Sequence, residues 1–178
     1  MRNLIVSLTF TLAAARADAT TLVPADIGVL AHDALAIARG RVVAAEGRWT
    51  DDRRTIETIV TLQVETYLKG DLGVTVQFLV PGGRLGRYRS VFVGAPEFNL
   101  DDRVVVFLGA HGPSMPYLVG FSQGVYRVVR SAGADVVTPP PVWPTATGTA
   151  VVRGDPARTT PPLADFEQRV HALATAAR

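Results

Sequence analysis

The sequence predicts a mainly β protein: a small closed antiparallel barrel of about five to seven strands, preceded by one helix and followed by another beyond a proline-rich linker. Three observations lead there. Apolar residues recur at every second position through most of the span from Ile37 to Arg130. Glycine, proline and aspartate pairs interrupt them at short intervals. Helical spacing is confined to the two ends of the chain. Short strands punctuated this way cover their own edges most simply by closing into a barrel.

The chain begins MRNLIVSLTFTLAAARADA, with a positive start at Arg2, an apolar run from Leu4 to Ala15, and Ala17-Asp18-Ala19. That is the layout of a secretory signal with an A-x-A-like cleavage site. The run is too short to span a bilayer comfortably. Residues 1–19 are therefore expected to be removed on export, which places the protein in the periplasm or outside the cell. No transmembrane span is expected in the mature chain. There is no cysteine, so the exported domain must be held by its core alone.

Next, ADIGVLAHDALAIARG (residues 25–40) carries Ile27, Leu30, Ala31, Ala34, Leu35 and Ala38 at helical spacing. Pro24 suits the first turn and Gly40 suits a stop. The period then changes to two. Strands are predicted over Ile37 to Ala45 and in TIETIVTLQVETYLKG, VTVQFLV, YRSVFVG, RVVVFLG, PYLVGF and VYRVVR. In the second of these, Ile56, Val60, Leu62 and Val64 share a face with Thr58 and Thr66, so one face packs and the other is wet. Turn signals at Asp51-Asp52, Gly70-Asp71, Pro81-Gly82-Gly83, Gly94-Ala95-Pro96, Asp101-Asp102 and His111-Gly112-Pro113 separate the strands. Residues 20–137 thus form the helix and barrel domain. Residues 138–161, rich in proline and threonine, form the linker. Residues 162–178 form a tail helix whose stripe is Leu163, Phe166, Val170, Leu173 and Ala177.

Charge counts against one class of function. The chain has 18 basic and 16 acidic residues, and loss of residues 1–19 leaves 16 against 15. No global field attracts nucleic acid, and the strands lack a basic and aromatic platform for it. The three histidines, at 32, 111 and 171, form no metal motif, and no cofactor is expected.

Two local features bear on function. Gly120-Phe121-Ser122-Gln123-Gly124 matches G-x-S-x-G, the turn that mounts a hydrolase serine between a strand and a helix. Asp165 and His171 follow in the chain order such enzymes use. Yet Val125-Tyr126-Arg127-Val128-Val129 after the serine reads as a strand, and no glycine-rich oxyanion loop is recognisable. A secreted serine hydrolase using Ser122 and His171 is the alternative, and a structural turn is the favoured reading. The second feature is PGGRLGRYR, where Arg84, Arg87 and Arg89 surround Tyr88 without an acid. A solvated hairpin is the bland account of it. Contact with an acidic partner surface is the functional one.

The order of LVPADIGVLAHDALAIARGRVV, TLQVETYLKGD, VPGG, GAPEFNLDDRVVVFL and YLVGFSQGVYRV resembles a family of small exported bacterial proteins. Their fold is like that of netrin modules and tissue inhibitors of metalloproteinases. The pieces cover most of Leu22 to Val129. The resemblance implies an OB-type barrel that binds partners at its rim and loops, and a structural turn at FSQG. It implies no inhibitory residues here, because the animal inhibitors use an N-terminal cysteine that this chain lacks. The resulting expectation is an exported, non-enzymatic module that binds a protein, an exported protease being one candidate. An OB-type nucleic-acid binder is a second alternative.

Overall fold

The computed structural model describes residues 25–110, 114–138 and 160–176. The predicted signal segment 1–19, the predicted linker apart from its ends, and Ala177 of the tail stripe lie outside the described residues. Helix α1 (Ile27–Asp33) leads into strands β1 (Ala36–Trp49), β2 (Ile56–Lys69) and β3 (Thr75–Pro81). A small hairpin, β4 (Gly83–Leu85) and β5 (Tyr88–Ser90), precedes β6 (Arg103–Gly109) and β7 (Tyr117–Leu118). After a 3-10 turn at Phe121–Gly124 come β8 (Val125–Ser131), β9 (Ala134–Thr138) and helix α2 (Leu163–Ala176).

The main sheet runs β1-β2-β3-β7-β6-β8-β9, and β1 also pairs with β6. Five strands, β1, β2, β3, β7 and β6, therefore follow one another around a partial ring. The sheet is mixed where an all-antiparallel one was expected. β3 and β7 are parallel and meet only at Leu79 and Tyr117. Pro116 lacks a donor, although its carbonyl accepts from the Leu79 amide at 2.8 Å, and Gly120 turns left-handed just beyond β7. A strand confined between those two points pairs only briefly.

Four expectations about element boundaries are corrected. α1 ends at Asp33, not near Gly40. Its cap Ala34 is already extended, and β1 starts at Ala36. Helix propensity in this alanine-rich stretch is a weak prior, and two-sided pairing overrides it. Residues Ala36–Arg41 face β6, and the same segment faces β2 from Ile37 onward. Gly40 is an approach point: a Cβ there would stand 2.2 Å from the Gln63 carbonyl oxygen. YRSVFVG is a strand only through Ser90, since Ala95 donates back to Phe92 and turns the chain. PYLVGF shrinks to Tyr117–Leu118. Finally, ADVVT forms β9, closed onto β8 by the Ala132-Gly133 turn, where no strand was predicted.

Two apolar clusters share the sheet. Inside the ring lie Ala38, Val42, Val60, Leu62, Phe78, Val104, Val106 and Leu108. On the other side, Ile37, Val105, Phe107, Val128 and Val137 meet Leu30, Ala31 and Ala34 from α1, and Phe166, Val170 and Ala174 from α2. Strand β6 feeds both clusters. That explains its unbroken apolar run, because a strand buried on both faces has no wet side to alternate with. α1 is capped by Asp26, whose carboxylate accepts the Gly28 amide at 2.6 Å. Phe166 lies 4.8 Å from the Tyr126 ring, and burying a phenylalanine contributes about 1.5–3 kcal/mol.

Charge completes the docking of α2. Arg39 of β1 lies 2.8 Å from Glu167 of α2 and 3.2 Å from Glu65 of β2. Arg103 of β6 spans Glu65 and Asp135 of β9. The hydrogen bond from Arg103 holds the Asp135 carboxyl below the usual carboxylate range.

Tyr126 supplies a pH test of this docking. Burial, reinforced by Asp26, pushes its phenol up to about 12. The folded state thus favours the neutral phenol. Its contribution is full below the ordinary value of 10.0 and is lost as pH rises from there to about 12. Urea unfolding across that window should show stability falling, with a shallower fall in Tyr126→Phe. Identical slopes for the two proteins would refute the assignment.

Candidate functional site

The Arg-Tyr hairpin sits at one end of the ring. The β1–β2 pair runs to Trp49 opposite Ile56, and the β4–β5 hairpin packs beside that tip. Sequence dictates the seating. The Ile56 amide donates to the Ser90 hydroxyl at 3.2 Å, and the Gly82 amide donates to the Ile56 carbonyl at 2.9 Å. Gly47 allows the approach, because a Cβ there would stand 2.0 Å from the Arg84 carbonyl oxygen. A two-residue turn, Gly86-Arg87, joins the strands.

All four predicted contact residues, Arg84, Arg87, Tyr88 and Arg89, are exposed. Tyr88 meets the Trp49 ring edge-on at 5.4 Å. The Arg87 guanidinium stands 5.0 Å above the Tyr88 ring centre and donates to its hydroxyl at 2.9 Å. Arg89 pairs with the exposed Glu97 at 3.2 Å. Arg84 and Arg87 have no carboxylate partner among the described residues, nor do Arg53 and Arg54 in the neighbouring β1–β2 turn. In that same turn Asp52 is held below the usual carboxylate range by the Thr50 hydroxyl and the Arg54 amide. Its charge is engaged locally.

Sequence reasoning missed the apolar half of this surface. Val91, Phe92 and Val93 follow the hairpin and are 72%, 47% and 68% exposed. Phe92 stacks on Phe121 at 5.7 Å. The signal was the run VFV itself, which reads as a buried strand when no account is taken of its missing partner. Beneath it, between the hairpin and residues 91–99, lies a groove of about 350 Å³. Ala45, Val80, Phe92, Ala95 and Phe98 give it apolar walls, and Arg84, Arg89 and Glu97 border it.

The residues of the hydrolase alternative are arranged differently. Ser122 is buried in the 3-10 turn, and its amide donates to the Gly94 carbonyl at 3.1 Å. Its hydroxyl has no hydrogen-bond partner. Strand β8 follows at once, where a nucleophile elbow has a helix. His171 and Asp165 are exposed on α2. Gln123, beside the serine, is buried and anchors the chain before α1 by accepting the Ala25 amide at 2.6 Å.

His32 is exposed and pairs with Asp33. Among the described residues no cluster of three or more histidine, cysteine, aspartate or glutamate side chains could hold a metal ion. No described helix is long and apolar enough to cross a membrane. The chain matches no protein-family model, no curated protein and no solved structure.

Proposed function

We propose that this chain is an exported, non-enzymatic binding module that engages the acidic surface of a protein partner through Arg84, Arg87, Tyr88 and Arg89. An exported protease is the candidate class of partner. The partial ring is read as a netrin-like, OB-type barrel whose end loops carry the contact. One observation carries the proposal. An exposed tyrosine, Tyr88, is braced by Trp49 and carries the guanidinium of Arg87, which like Arg84 on the facing strand has no carboxylate partner among the described residues. Arginine and tyrosine are the residue types that most often anchor interfaces, and bracing lowers the entropy lost on binding.

Support for the non-enzymatic part comes from the strand after Ser122 and from the burial of its hydroxyl. Nucleic acid is the weaker partner because the arginines of this end are interspersed with Glu46, Asp51, Asp52 and Glu97.

The triple substitution of Arg84, Arg87 and Arg89 to serine should leave the melting temperature within a few degrees of wild type. It should also abolish capture of a partner isolated from the exported fraction. Wild-type capture should weaken as salt rises, since exposed charges are screened beyond about 8 Å at physiological ionic strength. Unchanged capture by the folded triple variant would reduce the hairpin to a solvated loop. A serine-reactive fluorophosphonate should leave the purified protein unlabelled. Labelling that disappears in Ser122→Ala would restore the hydrolase.

A further inference from the structure

We infer that the groove beside the hairpin receives an extended peptide segment of the partner, in which one apolar side chain is flanked by carboxylates. This rests on the binding reading above and names what that site takes. Three features of this surface converge on it. The groove, at about 350 Å³, falls at the lower end of the range for ligand pockets, room for a short extended segment and not for a folded surface. Its walls are apolar at Val80, Phe92 and Phe98, and Arg84 and Arg89 stand over it. Val91, which also lines it, and Val93 beside it hold exposed apolar surface that a bound segment would cover.

Charge selects among occupants. A second copy related by a two-fold axis would present the same patch, whose one groove carboxylate, Glu97, is already paired with Arg89 and leaves Arg84 and Arg87 unanswered. A flat bilayer surface would cover Val91 and Val93 but leave the recess empty. A carboxylate beside an apolar residue satisfies both parts. The apolar side chain enters the groove while its neighbour meets Arg84 directly and competes with the exposed Glu97 for Arg89. Arg87, held over Tyr88, is pre-positioned to meet a second carboxylate.

The test uses fluorescein-labelled short peptides and the full mature chain. One peptide carries a leucine between two glutamates. A second has alanine in place of the leucine, and a third has lysines in place of the glutamates. The leucine–glutamate peptide should bind at least about tenfold more tightly than either control, the scale of one interface anchor. Ala45 is exposed and lines the groove from β1, so Ala45→Leu narrows it without entering the core. Ala45→Leu should weaken the peptide about tenfold and Ala45→Ser should bind as wild type. Equal binding of the leucine and alanine peptides would overturn the groove, as would wild-type affinity in Ala45→Leu. Binding lost in the triple arginine variant but kept in Ala45→Leu would leave the acidic-surface reading standing without the anchor. Binding to none of the peptides, or only to phosphatidylglycerol vesicles, would overturn the peptide assignment. So would concentration-dependent dimerisation lost in Ala45→Leu.

Discussion

Strand β1 is hydrogen-bonded on both sides, and the rest of the molecule depends on that. Over Ala36–Arg41 it lies between β2 and β6, which turns an open meander into a partial ring. Alternate side chains of the same segment feed the two cores: Ile37 faces the helices and Ala38 faces the ring interior. Gly40 permits the close passage of β2 at this crossing. An alanine or larger residue there meets backbone, which cannot swing aside as a side chain does. Between Val42 and Asp101–Asp102 the pairing with the β6 side ends in two loop hydrogen bonds at 2.9 Å. Beyond them β1 continues with β2 alone and carries the hairpin end away from the double-sided frame.

That arrangement divides labour along one strand. The first half is buried, apolar and shared. The second half is exposed, and its outer edge is occupied only by the short β4–β5 hairpin packed on Gly47. The helices gather at the buried half, where α2 is locked by Phe166, Val170 and the pairing of Glu167 with Arg39. These ion pairs are partly solvated, so their role is better described as orienting α2 than as stabilising the fold. The free guanidiniums and exposed aromatics gather at the other half. Binding surfaces placed on loops of a rigid frame are the common solution for presenting variable chemistry.

Much of this was legible in the sequence, and the failures have physical causes. The alternation in β2 and β3 announced strands because each has a face with a distinct environment. β6 was also recognised as a strand, but its burial on both faces was not foreseen and emerges from its place between the two cores. The end of α1 was misplaced because Ala34, Leu35 and Ala38 satisfy helical spacing, while the competing ladder involves strands far along the chain. β9 was missed because five residues with one buried valine carry little periodic signal. At the site, the arginine cluster was visible because it is local. The packing of Tyr88 on Trp49 was not visible, nor was the groove under Phe92, since both arise from segments brought together only by folding. Val91-Phe92-Val93 misled because apolar runs usually report burial, and here they report a surface.

The central claim is that the doubly paired part of β1 is the frame and the hairpin end is carried by it. Native-state hydrogen exchange measures this residue by residue. Amides of Ile37–Arg41 and Val104–Phe107 should exchange only through global unfolding, with the full denaturant dependence of that transition. Amides of Arg84–Arg89 should exchange through local openings that leave the frame intact, at rates faster by orders of magnitude. Exchange of Arg39 and Gly40 together with the hairpin, in one shared opening of low free energy, would contradict the account.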